Sequence, residues 1–410
     1  MRVFLVLTLI CSSILADQIS LSEAERLFRE NNLEIQAQNL EFQASKELIR
    51  HERTWSNPNF AIQESVNPLI DWDKSEINNQ FQLSQLFVLG KRKKRVGMAK
   101  ASAQMAELAI KETERTLKFE LRRSFFSLYY LNQNKIFYEK SIASLQQTTL
   151  TAEHLFEKRL LLLSEVMRLR ALLLILESEY LDLLHELTEE QATFLILIGA
   201  KNMSVDSVVP AFDSGLLYQV DLKADTQSLV QKAMSTRPDF QTSQVQVKQE
   251  ALNLSLQKSI WIPDLTLQAS YQQQGNSVPN YFGLQLSFDL PLWNQNRALV
   301  KNSQNLLAAK QKREEQFQLS VFRDVQVAIE KAKQSSKLLQ RTKLDHIHQY
   351  DELVKNMTLN YQRGNVSIIA FADFYESYRD SVVKMNQTLM NCAIAFEELN
   401  FVVGSDEINL

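Results

Sequence analysis

Eight glycines and seven prolines are spread over 410 residues, too few for a chain assembled from short strands, turns and loops. Most of the length must therefore be long, uninterrupted helix. Cysteine is rarer still. Cys11 lies in the N-terminal apolar run, and losing that run leaves Cys392 alone, which excludes an internal disulfide. Five histidines and no clustered Cys/His set leave a zinc site without its ligand spacing. His346-Ile-His348 does not repair this, because side chains two apart on a helix diverge. His185-Glu186 lacks the second histidine of H-E-x-x-H. There is no Walker sequence and no G-x-S-x-G, and no residue is poised for catalysis. The expectation is a protein that is not an enzyme and holds no cofactor or metal. A net charge of −3 gives no reason to expect nucleic acid. Beyond the N-terminus no stretch approaches the ~18 consecutive apolar residues of a transmembrane helix.

Residues 1–16 read as a signal peptide. Arg2 supplies the positive start, Val3 to Leu15 the apolar stretch, and Ala16 a small residue ahead of Asp17. As a membrane anchor the run is too short and is interrupted by Cys11, Ser12 and Ser13. Cys11 raises the alternative of a lipoprotein signal, against which stands the bulky Ile10 where a small residue is wanted.

What the chain does contain is a stretch of strict alternation, Asp264 to Trp293. Leu265, Leu267, Ala269 and Tyr271 share one face; Thr266, Gln268, Ser270 and Gln272 share the other. After a break with Gly275, Asn276, Pro279 and Asn280 the pattern resumes. Phe282, Leu284, Leu286, Phe288, Leu290 and Leu292 oppose Gly283, Gln285, Ser287, Asp289 and Pro291. Period-two patterning around a turn is a hairpin signal. Each run approaches the ~9–11 residues that a tilted strand needs to cross a bilayer. Apolar outside and polar inside is the pattern of a membrane barrel, so Phe282, Leu284, Leu286 and Phe288 are lipid-facing candidates. Gln268, Gln285, Ser287 and Asp289 are lumen candidates. The same pattern also suits an amphipathic hairpin on a soluble core.

A hairpin in lipid needs partners, because every edge must be closed. The chain supplies a second copy. Thr236-Arg237-Pro238-Asp239-Phe240-Gln241 follows Asn31-Asn32-Leu33-Glu34-Ile35-Gln36 by 205 residues. Pro263 answers Pro58, Tyr361-Gln-Arg363 answers Phe156-Glu-Lys158, and Val402-Val403-Gly404 answers Leu197-Ile198-Gly199, all at the same offset. Collinearity makes these a duplication. We read a first repeat over 17–204, a linker over 205–225, a second repeat over 226–404 and a tail over 405–410. Strands are expected at about 59–66 and 79–89, then 264–273 and 281–292. In the first copy Gln85 interrupts the apolar side, on which Phe81, Leu83, Phe87 and Leu89 lie.

Between the strands lie helices. Ser20 or Ser22 caps a first short one. Val96 to about Thr149 holds no proline and one glycine and reads as a single long helix. A break near Glu157 to Ser164 precedes another helix, ending at Leu197. Lys91-Arg-Lys-Lys-Arg95 suits a helix start close to lipid headgroups. The last helix keeps 4-3 spacing through Phe371, Tyr375, Tyr378, Val382, Met385, Leu389, Cys392, Phe396, Leu399 and Val403, the repeat of a coiled coil. Each unit is α-β-β-α-α, so the fold class is mainly α with a small β part. Two units give four strands, and a homotrimer would supply the twelve that close around a lumen.

The residues resemble those of the TolC-like outer-membrane efflux proteins. The resemblance rests on Ser20-Leu-Ser-Glu-Ala-Glu-Arg-Leu-Phe28, Arg237-Pro-Asp239, Trp261-Ile-Pro-Asp-Leu265, Leu284-Gln-Leu-Ser-Phe-Asp-Leu-Pro-Leu-Trp293 and Tyr361-Gln-Arg-Gly-Asn-Val-Ser367. Leu83-Ser-Gln85 with Leu89-Gly-Lys-Arg92 is similar to the branch serving cobalt-zinc-cadmium-type cation efflux. The resemblance implies a homotrimeric exit duct in outer-membrane lipid, working with a periplasmic adaptor and an inner-membrane efflux pump that supplies the energy. It also implies that Tyr361 to Phe374, including Arg363, forms a periplasmic gate. Asp373 falls where the family places one of two aspartates, Ala370 occupies the other position, and Val366 stands where an arginine locks the gate. Glu165 and Arg168 are the first-repeat equivalents of Ala370 and Asp373. Carboxylate and arginine partners from these tips are therefore expected to narrow the duct; solvated tip charges are the bland alternative. The competing function is a periplasmic coiled-coil adaptor or scaffold that never enters lipid.

Overall fold

A computed structural model describes residues 17–66, 77–220, 222, 225–274, 278–341 and 345–410. The signal-peptide reading of 1–16, the loop read around Pro68 and the turn at Gly275-Asn276 lie outside these residues. The elements run β1 (Asp17–Ile19), α1 (Leu21–Asn31), α2 (Leu33–Arg53), β2 (Asn59–Val66), β3 (Ile77–Phe87), α3 (Arg92–Glu157), α4 (Leu163–Leu197) and β4 (Val208–Pro210). They continue with α5 (Thr226–Thr236), α6 (Pro238–Ser259), β5 (Leu265–Gln274), β6 (Val278–Phe288), α7 (Arg297–Arg341), α8 (Asp345–Gln362) and α9 (Ile368–Val403). Among the described residues no helix is long and apolar enough to cross a membrane.

Helix starts follow local chemistry. The Ser20 hydroxyl accepts from the Glu23 amide at 3.2 Å, so Ser20 and not Ser22 caps α1. Asn32 ends α1 and caps α2, its Oδ1 accepting from the amides of Glu34 and Ile35. The equivalent Arg237 is followed by Pro238, whose missing amide costs nothing at the first position of α6. α3 is longer than the spacing predicts. It begins at Arg92, two residues after Gly90 at φ +69, because Lys and Arg are good helix formers. Gly97 is tolerated inside it: a Cβ there would come within 3.3 Å of the Leu252 side chain, so α3 and α6 approach closely.

The chain divides into two compact units. One comprises Met1–Gln36, Thr113–Arg237 and Val321–Leu410, the other Ala37–Glu112 and Pro238–Ser320. In the first, the heptad stripe of α9 is its core: Phe371, Tyr375, Leu389, Cys392, Phe396 and Val403 are buried. Leu169, Leu172, Leu176 and Leu183 of α4 pack in the same cluster as Phe371 and Tyr375. Val208-Val209-Pro210, which reads as connection, is instead strand β4, paired in parallel with β1. Three residues carry too little pattern to signal a strand whose partner lies far away in the chain.

The second unit holds one four-stranded sheet of order β2-β3-β5-β6, antiparallel throughout. The strands are displaced slightly from expectation: β3 starts at Ile77, and β6 runs from Val278 and ends at Phe288. Pro291 and its neighbours lack a ladder partner, so the alternation outlasts the strand. Buried side chains are few here; Ala101, Leu108 and Val245 form the small cluster between helices.

Candidate functional site

The sheet has one apolar and one polar face, and pairing makes each continuous. Residues opposite one another in a ladder share a face. Phe60, Leu83, Ala269 and Leu284 form one row, and Ile62, Phe81, Tyr271 and Phe282 the next. Gln85 with Leu267 and Leu286, and Phe87 with Leu265 and Phe288, complete that face. The rings of Phe81, Tyr271 and Phe282 stand 6.2 and 5.0 Å apart in sequence along their row. Nothing among the described residues covers this face: Leu284 is 83% exposed, Phe282 78% and Ile62 65%. Contiguous exposed apolar surface of this kind marks contact with lipid or protein. Gln85, the interruption in the pattern, donates to the carbonyls of Ser56 at 2.9 Å and Leu86 at 3.0 Å, which satisfies its amide locally.

The opposite face carries the row Asn59, Ser84, Gln268 and Gln285, then Leu86, Thr266 and Ser287. Ser270 and Gly283 adjoin them; a Cβ at Gly283 would meet the Ser270 hydroxyl at 2.7 Å, so a larger residue there would have to displace that side chain. Gln268, Gln285 and Ser287 are thus brought together. Asp289 lies one residue past the end of β6 and is not part of the ladder.

The second cluster is the helical tip in the other unit, built twice. After α3 the chain turns through Arg159 at φ +62; after α8 it turns through Gly364 at φ +74. The amides of Arg159 and Leu160 reach the carbonyls of Phe156 and Leu155, and those of Gly364 and Asn365 reach Tyr361 and Asn360. All four residue pairs differ by the repeat offset. The left-handed residue ends each helix by returning amides to its last carbonyls. Ser367 then caps α9 through the Ala370 amide.

At this tip Arg168 and Asp373, equivalent positions in the two copies, face each other with Nη2 and Oδ1 3.8 Å apart, both well exposed. Exposed pairs are worth ~0–1 kcal/mol, so this one shapes the local field more than it holds the fold. The Tyr361 ring stacks on Phe371 at 4.9 Å. Its hydroxyl is buried without a hydrogen-bond partner among the described residues. Burial pushes that hydroxyl's pKa up, and the Glu165 carboxylate adds to the effect. Arg363 is exposed. The pairing of Arg168 with Asp373 is thus direct, whereas Glu165 acts on Tyr361 through charge.

A third feature was invisible to pattern reading. Arg122 on α3 binds Glu25 at 2.6 Å, Glu397 at 2.6 Å and Asp406 at 3.1 Å. Lys118 also reaches Asp406, at 2.7 Å. Glu397 is only 2% exposed. Burial pushes its carboxyl up in pKa, against the opposing charge of Arg122. Asn400 ties the tail down, accepting from the Glu407 and Ile408 amides and donating to the Ile408 carbonyl. The partners come from α1, α9 and the C-terminal tail, remote from Arg122 in sequence, and no local spacing signals them.

Among the described residues no group of three or more His, Cys, Asp and Glu is arranged to hold a metal ion.

Comparison with known proteins agrees with this geometry. Residues 229–405 match the family model described as outer membrane efflux protein. No curated protein matches the sequence. Solved structures share the fold over nearly the whole length. A membrane protein from Pseudomonas aeruginosa has a TM-score of 0.79 at 14% identity, covering 94% of this chain and 93% of the other. CusC, whose structures concern folding and transmembrane channel formation, has 0.78 at 15%, covering 94% and 92%. The CmeC outer membrane channel of Campylobacter jejuni has 0.77 at 14%, covering 95% and 87%. At these identities the likeness is one of fold.

Proposed function

We infer that the chain is a TolC-like outer-membrane efflux protein, on the strength of the match over residues 229–405 and a channel fold over almost its full length. It is an exit duct in the bacterial outer membrane, with its sheet in lipid and its helical part in the periplasm. The observation that carries this is the uncovered apolar face running across all four strands. A periplasmic adaptor or scaffold would leave that face in water, where it would drive aggregation. The channel-type relatives do not favour that alternative, and they are described as channels rather than enzymes.

One chain cannot close the wall. Among the described residues β2 and β6 are sheet edges, each with unpaired backbone on one side, which lipid does not tolerate. Three copies joined edge to edge make twelve strands, enough to enclose a water-filled lumen. Phe282, Leu284, Leu286 and Phe288 then face lipid, while Gln268, Gln285 and Ser287 line the lumen. α4 supports the same assembly. Besides its buried stripe it exposes Met167, Leu174 and Leu181 at seven-residue spacing, a seam suited to a neighbouring helix.

The tips are the periplasmic gate. Arg168 and Asp373 of each copy, with Tyr361, Glu165 and Arg363 beside them, ring the entrance with charge and set ion preference there. The partners are two further copies, a periplasmic adaptor and an inner-membrane pump. The cargo suggested by Leu83-Ser-Gln85 and Leu89-Gly-Lys-Arg92 is a divalent cation of the cobalt, zinc or cadmium type. The domain division is two repeats, 17–204 and 226–404, joined by 205–225.

Fractionation tests the location: the protein should stay with outer membranes through alkaline washing and require detergent. Release by the wash would defeat the reading. In planar bilayers Asp373→Ala should change conductance or ion preference, and unchanged current would remove the gate role. Deletion should sensitise cells to metal salts if the cargo is cationic, and to drugs alone if it is not.

A further inference from the structure

The end of the sheet that joins the helices carries a feature the duct reading leaves unused. Trp55 precedes β2, Leu89 to Arg95 follow β3, Trp261 precedes β5 and Leu290 to Trp293 follow β6. All three tryptophans are exposed, Trp293 to 94%. The same segments, residues 50–55, 89–95, 258–264 and 289–301, hold ten Lys and Arg against three Asp and Glu, in a chain of net charge −3. Indole and cation together at the edge of an apolar band are the composition of a membrane–water interface.

Most cations of the Lys91–Arg95 run are committed within the chain. Lys91 pairs with Asp264 at 2.9 Å, Lys94 donates to the Ser255 carbonyl at 2.8 Å, and Arg95 lies 3.7 Å from Glu52. Arg92 and Lys93 have no ion-pair partner among the described residues. The Arg92 guanidinium sits 4.3 Å from the centre of the Trp55 ring. Trp55 in turn meets Phe87 edge-on at 6.0 Å. Phe87 pairs with Leu265, and Leu265 with Phe288. The stack Phe87–Trp55–Arg92 therefore rises from the margin of the apolar face and fixes a guanidinium there. Arg92 Nη1 is covered and has no acceptor among the described residues, whereas Lys93 is exposed and its charge is left for something outside the chain to offset.

We propose that Arg92, Lys93 and Trp55 form a site for the phosphate of an anionic phospholipid in the leaflet at this edge of the sheet. The acyl chains lie on Phe87 and Leu265. The guanidinium held on the indole adds positive charge at this level, the exposed Lys93 ammonium binds phosphate oxygen by a charge-assisted hydrogen bond, and the indole seats the headgroup level. The proposal rests on the outer-membrane reading and names a partner for it.

The test uses the full assembled protein in detergent with defined lipids. Native mass spectrometry and thermal melting are followed with phosphatidylglycerol and with phosphatidylcholine. Wild type should retain phosphatidylglycerol selectively and gain melting temperature from it. Arg92→Gln with Lys93→Gln removes two cations from a charged surface and should weaken retention about 10-fold or more. The charge-matched pair Lys333→Gln with Lys337→Gln should behave as wild type. If the double variant does not assemble, Lys93→Gln, exposed and unpaired, should still lose part of the selectivity. Equal retention by both pairs, no effect of Lys93→Gln alone, or no preference in wild type would overturn the site. Reproduction of the melting gain by soluble glycerophosphoglycerol would assign it to a free phosphate ester and overturn the lipid. A protein that leaves membranes on alkaline washing defeats the outer-membrane reading; one that stays but ignores lipid charge defeats only this inference.

Discussion

Leu284 and Gln285 are neighbours near the middle of β6 and point to opposite faces. Replacing each by arginine separates a wall in lipid from a sheet in water. Leu284 is 83% exposed in the chain. If that exposure were to water, Leu284→Arg would fall within ±0.5 kcal/mol, as exposed surface substitutions do. In a bilayer the arginine enters hydrocarbon near the midplane, at a cost of ~2–4 kcal/mol per chain. That is about 30-fold to nearly 1000-fold in the folding equilibrium. Gln285→Arg adds the same charge one residue away, on the face assigned to the lumen, and should stay within ~1 kcal/mol of the native chain. The assay is urea-dependent folding into phospholipid vesicles, followed by tryptophan fluorescence and by recovery of heat-sensitive oligomer on gels. Leu284→Arg should shift the midpoint strongly and Gln285→Arg little. Equal midpoints, or soluble, well-behaved Leu284→Arg protein, would refute a lipid-facing assignment.

Arg122→Ala strips the main cation from buried Glu397 and should cost ~3–5 kcal/mol, which lowers the helical melting midpoint by about 10 °C. Arg122→Met with Glu397→Leu should recover most of that loss, and a single variant melting like wild type would contradict the cluster's role. Gly199→Ala should destabilise more than Gly404→Ala, since both sit at positive φ but the first Cβ meets the Asn31 carbonyl at 2.6 Å and the second a Thr236 hydroxyl at 3.1 Å; equal losses in melting temperature would contradict this. Burial works against the carboxylates of Asp406 and Glu407, yet Lys118 and Arg122 hold the first, and Lys232 the second, below their usual pKa values of 3.8 and 4.5. Their stabilisation is therefore complete above those values and lost as pH falls below them. Hydrogen exchange of the Glu407 and Ile408 amides should be steady from neutral pH to about 5 and accelerate, after correction for intrinsic rates, below about 4.

Local periodicity carried the sequence a long way. The alternation of Phe282 through Phe288 determined which side chains share a face, because a strand has period two whatever it packs against. The heptad of α9 determined its buried stripe, and scarcity of glycine and proline determined that helix would dominate. The repeat offset located Arg168 and Asp373 as equivalents. Only tertiary structure decided that these two lie within reach of each other, that β3 of the first copy pairs with β5 of the second, and that β1 finds β4. Only it gathered Glu25, Arg122, Glu397 and Asp406 into one cluster. Facing and helix length are properties of a few consecutive residues, whereas partners hundreds of residues apart are chosen by the packing of the whole chain, and no window of sequence contains that choice.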